Sequence, residues 1–405
     1  MNPLAMLLAA GIPAIFLLII YTQDLYASRT FRLVLICFAW GALGGVGLSF
    51  LFNQFVAYPT ILKLGWDILL LYVLFAPIAE ELTKSLVLLY VSRRPEFTYF
   101  VDGAIYGFAS GIGFSIVENF IYLSQNPRMG ITLAVSRAFS TCLMHGVAAG
   151  LVGIAIGRVR FQQKTGRGLG LAGGWIAAMI LHALFNTVTQ SDSLSNTLQA
   201  LIPIGIGFSG VGLIAYIISL GLREQRQWLA DTLDRKVGVT GAEVRAAQSY
   251  SSLEEMLAPI TKQFPQKTEQ VMALVLRQAQ LGIKRKVQEK LEDPKQKEQL
   301  TQEIAQMQDE MEKLRKDIGP YVMMFVRSVF PEGALNIWAR MELVAAQTGP
   351  ADVQKWARML TTPQSGVPQN GTVAASTDAP KRSIFGQIQA QAEKPAESQP
   401  ESSTK

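Results

Sequence analysis

Apolar runs of about 18 to 27 residues, separated by short polar segments, fill the first 222 residues and stop there. A run of about 20 apolar residues, rising about 1.5 Å per residue as a helix, is long enough to cross the hydrocarbon core of a bilayer. The pattern therefore predicts seven spans, at 4–21, 32–56, 66–91, 99–123, 131–157, 169–190 and 198–222. The first run has no basic segment ahead of it and no small-residue cleavage site behind it, so it reads as a retained helix. Beyond residue 222 the pattern turns charged and helical. Leu300, Ile304, Met307, Met311, Leu314 and Ile318 recur at a/d-like spacing there. That stripe suits one face of a helix in a small domain better than a dimerising coiled coil, because three heptads are marginal for the latter. The predicted fold class is all-α: a polytopic transmembrane helix bundle at 1–222, a helical cytoplasmic region at 223–360, and a disordered tail at 361–405. The tail is rich in Pro, Ser, Gln and Ala and too poor in bulky apolar residues to offset the entropy of ordering.

Charge sharpens this division. Residues 1–222 hold only twelve of the chain's 37 Lys and Arg and eight of its 31 Asp and Glu. Arg29, then Arg93 and Arg94, then Arg158, Arg160, Lys164 and Arg167, then Arg223 and Arg226 fall in alternate connections, and the others hold only Lys63 and Arg128. By the positive-inside rule the N-terminus lies outside and the long C-terminal region in the cytoplasm of a cell-membrane protein. The net charge of +6 is spread over both halves, which excludes nucleic acid as a partner. Cys37 and Cys142 sit in apolar runs, where cysteine behaves as a small hydrophobe.

The informative residues are the charges inside the spans. Glu80, Glu81, Lys84, Glu118 and Arg137 each cost roughly 2.5–3.5 kcal/mol at mid-helix on a translocon scale. Glu80 and Glu81 share a helix face with Lys84, which still leaves two carboxylates for one lysine. Glu118 has no partner on its own helix. Both histidines of the chain, His145 and His182, also fall near the middle of spans. Asn186 follows His182 one turn later on the same face, and Arg137, Thr141 and His145 form an i, i+4, i+8 row. By residue counts Glu81, His145 and His182 meet at one depth, while Glu118 lies nearer the outer surface. Pro77, one turn before Glu80, deprives a carbonyl of its donor in a place that suits a protein-lined cavity.

The segments Glu80-Glu81-Leu-Thr-Lys84, Phe114-Ser-Ile-Val-Glu118-Asn119, the isolated His145 and His182-Ala-Leu-Phe-Asn186 come in order on four successive spans. Together they resemble the PrsW family of intramembrane proteases, within the superfamily of CAAX prenyl proteases and bacteriocin-processing enzymes. The likeness covers about 75–189. It implies hydrolysis of peptide bonds in membrane-anchored proteins, such as anti-sigma factors, by glutamate-activated water. Glu80 is then the general base, with Glu81 beside it and Lys84 balancing charge. His182 and Asn186 donate to the oxyanion, and Glu118 stands where the CAAX branch carries a histidine, a role open to His145. The expected cofactor is none. Zinc, held by Glu80, His145 and His182, is disfavoured because there is no HExxH and because Asn and Lys suit oxyanion and charge-balancing roles better. A proton-coupled transporter and a non-catalytic membrane scaffold are the competing classes. The expected partners are a membrane-anchored protein substrate and the lipid bilayer, with homo-oligomerisation through the cytoplasmic helices as a further option.

Overall fold

The computed structural model describes residues 2–23, 26, 31–162, 164–191, 193–233, 239–248 and 258–329. Every regular element among them is helical. The chain enters through α1 (Pro3–Thr22) and α2 (Phe31–Leu64), the latter interrupted by π-helical turns at Trp40–Gly45 and Asn53–Ala57. A third π turn, Leu71–Phe75, leads into α3 (Ala76–Val91). Next come α4 (Phe100–Gln125), α5 (Gly130–Phe139), α6 (Thr141–Val159), α7 (Lys164–Thr189) and α8 (Asn196–Thr232). The remaining helices are α9 (Gly241–Gln248), α10 (Ala258–Gln263), α11 (Thr268–Lys290), α12 (Pro294–Ile318) and α13 (Pro320–Val329).

Six stretches among the described residues are long and apolar enough to cross a membrane: α1, α2, α4, α5 with α6, most of α7, and α8. The seventh predicted span is helical, but it carries Glu80, Glu81 and Lys84 and is not one of the six.

The bundle is organised around α4, whose apolar stretch is 94% buried. Buried helices in a bilayer approach closely when small residues line the seam, and α4 presents glycine every fourth residue to α6. A Cβ on Gly111 would stand 2.1 Å from the carbonyl oxygen of His145, and one on Gly107 would stand 2.2 Å from that of Ala149. The seam thus fixes the level at which His145 emerges from α6.

Helix α8 runs unbroken through residue 222, so the edge of the apolar pattern is not an edge of the helix. Beyond it, α11 and α12 form an antiparallel pair. Leu300, Ile304, Met307, Met311 and Ile318 of the predicted stripe are buried there, in one apolar core that continues from the membrane helices. The Lys284 ammonium of α11 donates to Glu303 of α12 (2.6 Å) and to the carbonyl of Pro95 beyond the end of α3 (3.2 Å). Arg160 donates to Gln296 (3.1 Å). The tail at 361–405 lies outside the described residues.

Candidate active site

Helix α3 is pinned from three sides by polar contacts to its own backbone and hydroxyls. The Trp40 indole of α2 donates to the carbonyl of Thr83 (3.0 Å), and the Ser110 hydroxyl of α4 donates to that of Lys84 (2.8 Å). From α7, the Trp175 indole donates to Ser85 Oγ (2.6 Å), which itself donates to the carbonyl of Glu81 (2.7 Å). These bonds set the rotation of α3 so that Glu81 and Lys84 point inward, each fully buried.

The π turn ahead of α3 has its own chemistry. Its i→i+5 pattern gives the carbonyl of Leu71 to the amide of Ala76, and the next amide in that register belongs to Pro77, which has no N–H. The carbonyl of Tyr72 is thereby left over. Asn186 of α7 supplies the missing donor, with Nδ2 at 2.8 Å.

Inside, a chain of hydrogen bonds connects five helices, α3 to α7. Glu81 Oε1 accepts from Lys84 Nζ (2.7 Å) and from His182 Nδ1 (2.8 Å). Lys84 Nζ also lies 2.7 Å from His145 Nδ1. An ammonium can only donate, so Nδ1 of His145 is the acceptor and its proton sits on Nε2. That N–H meets Glu118 Oε2 at 3.1 Å. The same oxygen accepts from Arg137 Nη2 (2.9 Å), whose Nε donates to Asn119 Oδ1 (2.8 Å). The two imidazole rings stand edge to face, 4.8 Å between centroids. A hydrogen bond to a carboxylate on one side fixes the ring of His182 and aims its free Nε2 at Glu80, whose Oε2 lies 3.8 Å away.

Glu80 is the member left without a fixed partner. Its Oε2 is buried and accepts no hydrogen bond, and Glu81 Oε2 shares that condition. With neutral histidines the group holds three carboxylates against one lysine and one arginine, an excess of one negative charge in a largely buried site. One proton or one cation compensates it. Glu80, His145 and His182 each offer one ligand atom, all within 4.8 Å of one another.

The structure therefore brings Glu80, Glu81, Lys84, Glu118, His145 and His182 together and places the amide of Asn186 on a backbone carbonyl. Glu118 is in hydrogen-bond contact with His145 and, at 22% exposed, is the most accessible carboxylate of the cluster. One expectation is corrected. Arg137 does not share a continuous helical row with His145, because Ser140 leaves helical geometry (φ −112°, ψ −80°) and separates α5 from α6. Sequence reasoning also missed the Glu118–Arg137 pair. The signal was present: neither residue has an opposite charge three or four positions away on its own helix.

A polytopic helical bundle with buried, mutually bonded carboxylates, imidazoles and a lysine defines an integral membrane protein built around an intramembrane polar site. Residues 29–221 match the family described as PrsW family intramembrane metalloprotease. Among relatives, the protein named Protease PrsW of Halalkalibacterium halodurans is 28% identical over 186 residues, 45% of this chain and 83% of that protein. Those of Geobacillus kaustophilus (26% over 183 residues, 44% and 78%) and Bacillus subtilis (26% over 200 residues, 49% and 88%) are similar. No solved structure matches. Over residues 29–221 this chain is similar to the PrsW family, and these likenesses support a multi-pass intramembrane protease.

Proposed function

We propose that the cluster is the hydrolytic centre and that it cleaves peptide bonds of membrane-anchored proteins with water activated by Glu80. The observation that supports this most is the buried, unpartnered Oε2 of Glu80 beside the Nε2 of His182. A general base must keep a lone pair free for the proton it takes, whereas Glu81, tied to Lys84 and His182, has its near oxygen committed. Glu81 instead fixes the ring of His182. Glu80 takes a proton from the attacking water and hands it to the free Nε2 of His182, and the imidazolium so formed delivers it to the departing amide nitrogen as the C–N bond breaks. The oxyanion of the tetrahedral intermediate takes hydrogen bonds from protonated His182 and from the second amide proton of Asn186, whose first is held by Tyr72.

A second reading is favoured by a specific observation: two nitrogens and one carboxylate oxygen converge, and His182 bonds a carboxylate through its other nitrogen, as zinc-binding histidines do. The excess negative charge fits a divalent cation as well as a proton. Glu80, His145 and His182 are the residues that would hold it, and when bound it would supply an acidified water and polarise the scissile carbonyl. Under this reading His145 gives up one of its two present bonds.

The experiment that tests the function is a quantitative comparison of membrane-protein fragments in cells carrying the wild type and Glu80→Gln. Fragments that vanish with the variant, at equal abundance of the protease, support the reading. An unchanged fragment pattern overturns it.

A further inference from the structure

We infer that Arg137 is a positioning residue of this centre, holding Glu118 and through it the ring of His145. The inference rests on the hydrolytic reading above. Its basis is the geometry of the α4–α5 contact. Arg137 is largely buried, its side chain 14% exposed, and it makes three directed contacts to one helix: Nη2 to Glu118, Nε to Asn119, and the guanidinium 3.8 Å over the ring of Tyr122. A rigid planar fork that bonds at two points fixes the acceptor in place, which a flexible ammonium does not. Asn119 is itself fully buried and donates onward to Cys142 Sγ (2.8 Å), so the fork has a firm anchor on one prong.

The other prong acts on the site. Glu118 Oε2 is shared between Arg137 and the Nε2–H of His145, and the opposite nitrogen of that ring is held by Lys84. His145 is thus gripped at both ends, and Arg137 secures one grip. Without it Glu118 loses its only cation, its carboxylate swings toward water, and the ring is held from one side. The consequence reaches Glu81 and His182, because Lys84 bridges His145 to Glu81. The break at Ser140 is what makes the arrangement possible: it turns α5 so that Arg137 faces α4 while His145, five residues past the break, remains on α6.

The test uses the full-length protease in liposomes and a single-span reporter peptide chosen from the fragments lost in the Glu80→Gln comparison. Arg137→Gln should lower kcat roughly tenfold to a hundredfold with KM nearly unchanged, the size of effect that small misplacements of reacting groups produce. Arg137→Lys should recover part of the rate, and millimolar guanidinium should accelerate Arg137→Gly. Combining Arg137→Gln with Glu118→Gln should be no slower than Glu118→Gln alone, since one residue acts through the other. A wild-type kcat for Arg137→Gln overturns the inference, as do independent, multiplying losses in the double variant. So does a rate loss that follows the loss of folded protein and that neither lysine nor guanidinium relieves. If Glu80→Gln still cleaves the reporter, the hydrolytic reading fails first and the inference falls with it.

Discussion

Replacing Lys84 with methionine is the most direct probe of how this interior is balanced. The two side chains of the Glu81–Lys84 pair are entirely buried and 2.7 Å apart, and the ammonium is also the donor to His145 and lies 4.5 Å over the ring of Phe114. Methionine fills nearly the same volume, so packing is kept while the charge goes. Removing one partner of a buried pair leaves the other uncompensated and typically costs about 3–5 kcal/mol. Here the loss should lie toward the upper end, because His145 Nδ1 loses its donor too. Neutralising both partners, as in Glu81→Gln with Lys84→Met, should return a large part of that stability, since the stranded charge is gone and glutamine still accepts from His182. The assay is reversible unfolding of the purified protein in mixed micelles, with the wild type, both single variants and the double variant compared. If Lys84→Met unfolds within about 1 kcal/mol of the wild type, or if the double variant is as unstable as the two losses added, the pair is not the compensated buried unit that this reasoning requires.

Four further outcomes follow from the same geometry. Glu80→Gln should abolish cleavage of the liposome reporter while leaving folded abundance intact, whereas Glu81→Gln should impair both rate and stability, because only Glu81 is bonded into the core; unfolding and turnover measured on each variant separate the two. A dialysed preparation should keep its activity in a strong chelator if Glu80 acts without metal, and loss that zinc restores would instead assign Glu80, His145 and His182 as ligands. Gly111→Ala should cost about 1–3 kcal/mol through overpacking and slow cleavage as well, since the new methyl meets the backbone of His145; thermal unfolding and single-turnover rate report the two effects. Asn186→Ala should remove an exposed hydrogen bond to the carbonyl of Tyr72 at little cost in stability, and a rate loss of roughly a hundredfold or more identifies the second amide proton as an oxyanion donor.

Much of the site was legible in the sequence because the membrane makes charges conspicuous. Glu80, Glu81, Lys84, Glu118, His145 and His182 each stood out as costly in an apolar run, and all six meet in space. Their partners were less legible. Glu118 meets Arg137 and His145 because α4 is seated against α6 by glycines that carry no hydropathy signal. The break at Ser140 was invisible for a related reason: a serine between two apolar stretches neither caps nor kinks by composition alone. Asn186 shows a third limit. The spacing puts it on one face with His182 and the resemblance implies a shared oxyanion role, but its bond to the leftover carbonyl of Tyr72 arises from a π turn, whose register the sequence does not announce beyond Pro77.

The three ionisable side chains of α3 have a consequence for how the site forms. Three ionisable side chains on one helix oppose its transfer into hydrocarbon by several times the roughly 2.5–3.5 kcal/mol assigned to each. The opposing contributions come from other helices: Trp40 of α2, Ser110 of α4, His145 of α6, and Trp175 and His182 of α7 all bond to it. The full set is present only once α7 has been made, roughly a hundred residues after α3 in the chain, because Trp175 and His182 both lie on it. Helix α3 therefore gains its full set of polar partners only when α7 has packed against it. A chain shortened before His182 should accordingly leave the 66–91 segment incompletely inserted, a state that glycosylation sites engineered into its flanking connections would report.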